Sequence, residues 1–467
     1  MAEALQPPAL PADTAFAKSI AGEHLFGEEI DLWISAIVLD GELGPNASVD
    51  NFRATVEAHW ARGAQLLKAE LEECGNDDAK LVSRLSEFLP EVSPSIETGT
   101  LLPSIDAGEI RLKVGSVSRT YPEGEEVELI LNGQGTSPHI ALMGQTGTGK
   151  SRTGVDIMRQ VLEKTHVPAL VIDPKGEFVR EGRLSGWLEG FGVEMEPIEV
   201  GKQPIPLDFL PEPSVGNVSI QNAAMQFRDS IALCCKGAGN IQQDLLRSAI
   251  DKVIRHVRPR SLEAVKEYYK AELDAQEKGL DSIMSRLNEL TGLKCFTPEM
   301  PAGDFFSRSW ILSLKAIGTE ELKRLVILLV LDTLKGFLLT QNDAPVNSGY
   351  RSLRHVFMID EARRILAEKK YQSLVDIIRQ GRSKGCVVIL LSQDPSDFEG
   401  QADDFTTQLG SCLAFACLQT RRGLRALQGV YGRKLLPSEF ADTWLPKWVA
   451  FSKLPGRSAE RITCWDD

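Results

Sequence analysis

The chain is poor in the residues that build disulfide and metal frameworks. Its 467 residues hold eight cysteines and six histidines. Apart from the pair Cys234–Cys235 the cysteines are scattered, and no C-x-x-C has partner ligands. That points to a reduced, cytosolic chain with neither a disulfide scaffold nor a zinc site. The histidines are equally dispersed, and no acidic pair finds a basic partner in a second fold, so a nuclease site is missing. The opening MAEALQPPALPADTAF lacks the basic and apolar regions of a signal peptide. The longest apolar stretch, LVILLVLDTLKGFLL at 325–339, is interrupted by Asp332 and Lys335; it reads as a buried helix, and no membrane association is expected. Internal repeats and low-complexity segments are absent too.

What is present is the composition of an ordinary soluble protein, 43% hydrophobic and 25% charged, with room for two or three domains. Net charge is −13, and it is concentrated: residues 1–100 carry 18 Asp/Glu against 6 Lys/Arg, leaving the remainder almost neutral. A strongly acidic surface repels DNA phosphates and attracts basic protein surfaces, so this region is expected to dock a protein partner.

Residues 1–87 read as an acidic, mostly helical module, with apolar residues Leu25, Ile30, Leu32, Trp33, Ile34 and Ile37 on one helix and a second helix over 51–73. Proline and serine mark a linker at 88–108. Two alternating runs, Ile110/Leu112/Val114 and Val127/Leu129/Leu131, predict a small β element at 109–135. From 136 to 455 apolar strands alternate with helical runs, interrupted by a helical insertion at about 215–305; a tail of 456–467 follows. Strands are expected at 139–143, 169–172, 310–314, 356–360, 386–393 and 413–417. Repeated β–α alternation predicts an α/β fold, a parallel sheet covered by helices.

The chemistry concentrates in GQTGTGKS, residues Gly144, Gln145, Thr146, Gly147, Thr148, Gly149, Lys150 and Ser151. The strand HIALM precedes it, and Val155, Met158, Val161 and Leu162 follow at helical spacing. Strand, glycine loop and helix in that order make a phosphate-binding loop. Curled backbone N–H groups and the helix N-terminus face the anion, Lys150 reaches the β- and γ-phosphates, and the Ser151 hydroxyl ligates Mg²⁺. A Gly/Thr-rich turn with a solvated lysine is the plainer alternative, and the flanking elements argue against it.

VFMIDEA then supplies Asp360 to hold Mg²⁺ through water and Glu361 to deprotonate the attacking water. Alone, such an acid pair also suits a helix N-terminus. Gln393, ending CVVILLSQ, is placed to bridge the lytic water and γ-phosphate, or simply to cap a turn before Pro395. IIRQGRSKG carries Arg379, Arg382 and Lys384; it is either a solvated helix end or an arginine finger.

In this order, GQTGTGKS, VIDPKGEF, VFMIDEA, RQGRSKG and ILLSQDP resemble the HerA/FtsK superfamily of ring-forming DNA-pumping ATPases, over about 139–455. HerA and the conjugative coupling ATPases are the nearest in pattern. The resemblance implies a RecA-like P-loop ATPase core, ATP and Mg²⁺, a homo-hexamer with sites at subunit interfaces, and double-stranded DNA through the pore. It further implies that Asp360 and Glu361 are the Walker B pair, that Gln393 is the sensor, and that Arg382 points to the neighbouring subunit. Asp173 and Glu177 match the DPKGE stretch, and Asp173 is assigned to the nucleotide site on that ground. HerA proteins usually begin with a β-barrel, and only one candidate hairpin, 110–131, is visible here. In the barrel's place, FGEEIDLWISAIVLD (26–40) and HWARGAQLL (59–67) are similar to DndE, of the bacterial phosphorothioate-DNA machinery.

Three functions follow as expectations. The first is a hexameric DNA translocase serving a partner effector, a nuclease or other enzyme of DNA modification or anti-phage defence, docked through the acidic module. In the second, an ATP-dependent ring scaffold activates an effector with little translocation. The third is a small-molecule phosphotransferase, which Glu361 and Gln393 disfavour because they suit water as the acceptor. Arg421, Arg422, Arg425, Arg433 and Lys434 are the candidate pore residues.

Overall fold

The computed structural model describes residues 102–464, except 107, 118–123, 180–181, 183–194, 211–216, 236, 258, 367–371, 400–407, 418–419, 433–436 and 442. The acidic module at 1–87, most of the expected linker, both stretches similar to DndE, and Arg433 and Lys434 lie outside the described residues. The chain divides into two compact units, Met1–Thr98 with Pro211–Ala224, and Gly99–Leu210 with Met225–Asp467. The described part of the first is the start of one helix, from Asn217.

In chain order the elements are β1 (Arg111–Val117), β2 (Glu126–Ile130), β3 (Ile140–Met143), α1 (Lys150–Thr165), β4 (Ala169–Asp173), β5 (Glu196–Glu199) and β6 (Ile205–Leu207). Helices α2 (Asn217–Leu233), α3 (Asn240–His256), α4 (Leu262–Ala275) and α5 (Ser282–Gly292) follow, then β7 (Phe296–Met300), α6 (Ala302–Phe306), β8 (Trp310–Ser313) and α7 (Glu320–Thr340). The remainder is β9 (Val346–Asn347), β10 (Tyr350–Arg351), β11 (His355–Ile359), α8 (Arg363–Leu366), α9 (Gln372–Gly381), β12 (Cys386–Ser392), β13 (Ser411–Ala414), α10 (Arg421–Tyr431), β14 (Val449–Lys453) and β15 (Glu460–Thr463).

An eleven-stranded sheet runs in the order β2-β1-β15-β14-β13-β3-β12-β11-β4-β8-β5. The strands from β13 to β5 are parallel; the rest join antiparallel at one edge. The parallel centre reads IALM, ALVID, HVFMI and CVVILLS, buried at every position, because helices cover both faces and no alternation is needed. Toward its first residues β1 alternates exposed and buried positions, as a strand covered on one face does. Val155, Ile157, Met158, Val161 and Leu162 put the apolar stripe of α1 into the same core.

The two charges within the apolar stretch 325–339 of α7 are both satisfied. Asp332 accepts from the Ser230 hydroxyl, and Lys335 pairs with Asp376 at 3.0 Å. Among the described residues no helix is long and apolar enough to cross a membrane. Helices α2 to α5 occupy most of the stretch read as a helical insertion; Ser261 and Asp281 cap α4 and α5 with their side-chain oxygens.

Two sequence-based boundaries differ from the structure. Residues 456–467 are not merely a tail: Glu460–Thr463 form β15, hydrogen-bonded between β14 and β1. Through β15 the β1–β2 hairpin is an edge of the central sheet and not a separate β element. Within the expected linker, Leu102 is buried with its N–H on the Gln341 side chain, and Ile105 bridges to Leu353.

Candidate nucleotide-binding site

The site lies where the central parallel strands end. β3 leads straight into the glycine loop, whose strand side is fixed by N–H donation from Gly144 to the Ser392 carbonyl (3.1 Å) and from Gln145 to the Ala416 carbonyl (2.9 Å). Gly144, Gly147 and Gly149 take φ of 153°, 87° and 114°, values that only glycine adopts without strain. A Cβ at Gly144 would also come within 2.7 Å of Phe415 Cβ.

Helix α1 starts at Lys150 with no side-chain cap and no acidic residue in its first turn. A sixteen-residue helix therefore presents uncapped N–H groups and the positive end of its dipole to the loop. Lys150 is only 5% exposed, a costly place for a cation at a helix N-terminus. Asp360, 1% exposed, offsets that cost at 3.6 Å. Burial holds the Asp360 carboxyl above its ordinary range, and Lys150 works against that shift. Thr146 and Gly147 are exposed, and Gln145, Thr148 and Ser151 half-buried. This uncapped, lysine-bearing cradle fits a polyphosphate, and Ser151 with Asp360 offers the oxygen donors that suit Mg²⁺.

Glu361 takes φ of 52°, in the left-handed region, a strain of about 1–3 kcal/mol that active sites commonly retain. Its carboxylate accepts from Gln393 Nε2 at 2.6 Å and from the Lys175 ammonium. Burial alone would raise its pKa; the bonds from Lys175 and Gln393 outweigh that and hold it below the ordinary value. The sheet order explains the meeting, since β12, which ends at Ser392 just before Gln393, lies between β3 and β11.

Lys175 was not singled out in the sequence, although it stands within DPKGE. Asp173, fully buried, accepts N–H bonds from Lys175 (3.2 Å), Gly176 (2.8 Å) and Phe178 (2.9 Å). Burial pushes its carboxyl up to about 6, while the N–H bonds from Phe178 and Gly176 pull the other way. In this structure Asp173 shapes the turn that carries Lys175 to Glu361.

Arg382 is at the other end of the sheet. It lies in the turn between α9 and β12, beside His139, which precedes β3. The neutral His139 ring donates from Nε2 to the Ile378 carbonyl (2.8 Å) and accepts from the Val388 N–H (3.1 Å), and burial lowers its pKa to about 4. β12 spans seven residues, so at about 3.3 Å per residue Arg382 is roughly 20 Å from Gln393. The chain brings together Lys150, Ser151, Asp360, Glu361 and Gln393, and leaves Arg382 too far to reach its own phosphate loop. Arg379, on the last turn of α9, is exposed. Arg421, Arg422 and Arg425 form an exposed face of α10, opposite the buried Ala426, Leu427 and Val430.

A family model described as "Helicase HerA, central domain" matches residues 112–367. Among solved structures, VirB4 of Thermoanaerobacter pseudethanolicus aligns with a TM-score of 0.56 at 16% identity, over 76% of this chain and 96% of that one. The plasmid coupling protein TrwB in complex with a non-hydrolysable ATP analogue aligns at 0.52 and 16% identity, over 70% and 85% of the two chains. TrwB in complex with ADP and Mg²⁺ gives 0.51 and 15%, over 70% and 86%. At these identities the likeness is one of fold, a RecA-like sheet with covering helices. No curated protein matches the chain.

Proposed function

Because the chain belongs to the family of the HerA helicase central domain, we propose that it is an Mg²⁺-dependent ATPase that moves duplex DNA through a hexameric ring of its own copies. One observation carries the reading. Lys150, Asp360, Glu361 and Gln393 converge at one end of the sheet, while Arg382 sits at the end where β12 begins. An arginine in that position completes a site only on a neighbouring copy, which a closed ring provides.

In this mechanism the glycine loop and the start of α1 bind the phosphates, and Lys150 neutralises the β- and γ-oxygens. Ser151 and Asp360 would hold Mg²⁺ there, and the ion would supply countercharge to the phosphates. Gln393 orients water and Glu361 accepts its proton. A carboxylate held low in pKa by Lys175 is a weak base, so Lys175 must shift from Glu361 before proton transfer. Arg382 of the neighbour stabilises charge on the transferring phosphoryl group. The exposed arginines of α10 supply phosphate contacts for DNA. The acidic first hundred residues favour a protein partner, in keeping with an effector enzyme of a DNA-modification or anti-phage system. The same charge supports a second reading, a ring that scaffolds the effector with little translocation.

The test is ATP hydrolysis by the full chain with and without duplex DNA, with sedimentation to read assembly. Stimulation by DNA in a ring, and a loss of about 10²–10⁴-fold in Glu361→Gln with ATP binding retained, are expected. Near-normal turnover in Glu361→Gln removes Glu361 from catalysis, a fully active monomer refutes the ring, and DNA-independent turnover favours the scaffold.

A further inference from the structure

One aromatic side chain lies on the glycine loop and has no part in the hydrolytic chemistry. Trp448 immediately precedes β14; its N–H donates to the Thr148 carbonyl at 2.9 Å and its carbonyl accepts from the Cys464 N–H at 2.8 Å. Its φ is 71°, a conformation bulky residues rarely take. Any Cβ at Gly149 would land inside the indole, so the ring rests directly on the last glycine of the loop. The Arg152 guanidinium stands 5.1 Å from the ring centroid and Lys447 Nζ 4.4 Å. The ring is half-buried.

Sheet order gives this position its meaning. β3 lies between β12, which leads into Gln393, and β13, followed by β14. A nucleotide whose γ-phosphate faces Glu361 and Gln393 points its other end away from β12. That end carries the ribose and base, and it leaves over the β13–β14 flank, where Trp448 waits. Arg152 follows Ser151 directly, within reach of an α-phosphate on the way. A guanidinium already lies over the indole, 5.1 Å from its centroid, so that face is open to a planar, π-rich group.

We propose that Trp448 is the platform on which the nucleobase stacks, the base replacing the Arg152 guanidinium, which turns to the α-phosphate. This rests on the glycine loop being a nucleotide site. Stacking on an aromatic face tolerates any base, so the platform contributes affinity for nucleotides over bare polyphosphate.

The experiment is calorimetric titration of the nucleotide-free full chain, with Mg²⁺, using ATP and inorganic tripolyphosphate. Trp448→Ala should weaken ATP roughly ten- to a hundred-fold and leave tripolyphosphate unchanged, and Trp448→Phe should recover most of the loss. Equal weakening of both ligands would mean that Trp448 only buttresses Gly149, and unchanged ATP affinity would leave the base elsewhere; each overturns the proposal. A wild-type chain that binds neither ligand instead refutes the nucleotide site itself. Should Trp448→Ala fail to fold, photolabelling of the wild type with 8-azido-ATP decides: label on the peptide bearing Trp448 supports the platform, and label confined to other peptides overturns it.

Discussion

Replacing Lys150 by methionine, which keeps the length of the side chain and removes the charge, should destabilise the protein in a pH-dependent way. Asp360 is 1% exposed and its ammonium partner lies 3.6 Å away. At an effective dielectric of about 20 that separation corresponds to roughly 4–5 kcal/mol of attraction, in line with the ~3–5 kcal/mol lost when one partner of a buried pair is removed. Relief of the unfavourable charge at the start of α1 returns about 0.3–1 kcal/mol, leaving a net loss of about 3–4 kcal/mol. The sign with pH follows from Asp360. Burial already raises its folded pKa, and Lys150 is the leading influence against that rise; without Lys150 the folded pKa climbs further above the unfolded one. A raised carboxyl pKa penalises the ionised fold at high pH. The penalty disappears as pH falls through the folded pKa, by up to about 1.4 kcal/mol per pH unit. Thermal unfolding followed by circular dichroism, in nucleotide-free buffer from pH 8.5 to 5.5, reads this out. Lys150→Met should melt several degrees below wild type at pH 8.5 and approach it in acid. Adding Asp360→Asn should recover most of the loss and abolish its pH dependence. A deficit that grows toward acid, or a double variant no better than the single one, would refute the reasoning.

Two further outcomes test the rest of the site. Arg382→Ala should leave assembly and ATP binding intact while lowering hydrolysis by about 10³ or more, and mixing it with Lys150→Ala subunits should recover part of the activity; mixed rings that form and stay inactive count against a shared site. Asp173→Ala strips the acceptor from the N–H groups of Lys175, Gly176 and Phe178, at about 1–3 kcal/mol for each donor left buried. With Lys175 no longer held on Glu361, the turnover number should rise with ATP affinity little changed, and a variant with wild-type kinetics would show that this turn does not govern Lys175.

The amino-acid sequence by itself determined the local chemistry and the order of elements. Continuous apolar runs marked β3, β4, β8, β11, β12 and β13 because a strand covered on both faces has no polar positions. The glycines of the loop were legible because their left-handed backbone leaves no other choice. β14 and β15 escaped because VAFSK and ERIT are short and mix polar with apolar residues, a pattern shared with loops. Which strands lie side by side was decided only by tertiary structure. Periodicity records how each segment is buried and says nothing about which segment it pairs with across a long crossover. Lys175 meets Glu361 across 186 residues, and it does so because Asp173 bends the chain after β4. Gln393 meets Glu361 because β12 is inserted between β3 and β11. The same ordering sends Arg382 to the far end of β12 and brings Trp448 to the loop. The placement of Trp448 could not be read from PKWVA, and that of Arg382 came only through the resemblance of RQGRSKG, since distance along a chain does not fix distance across a sheet.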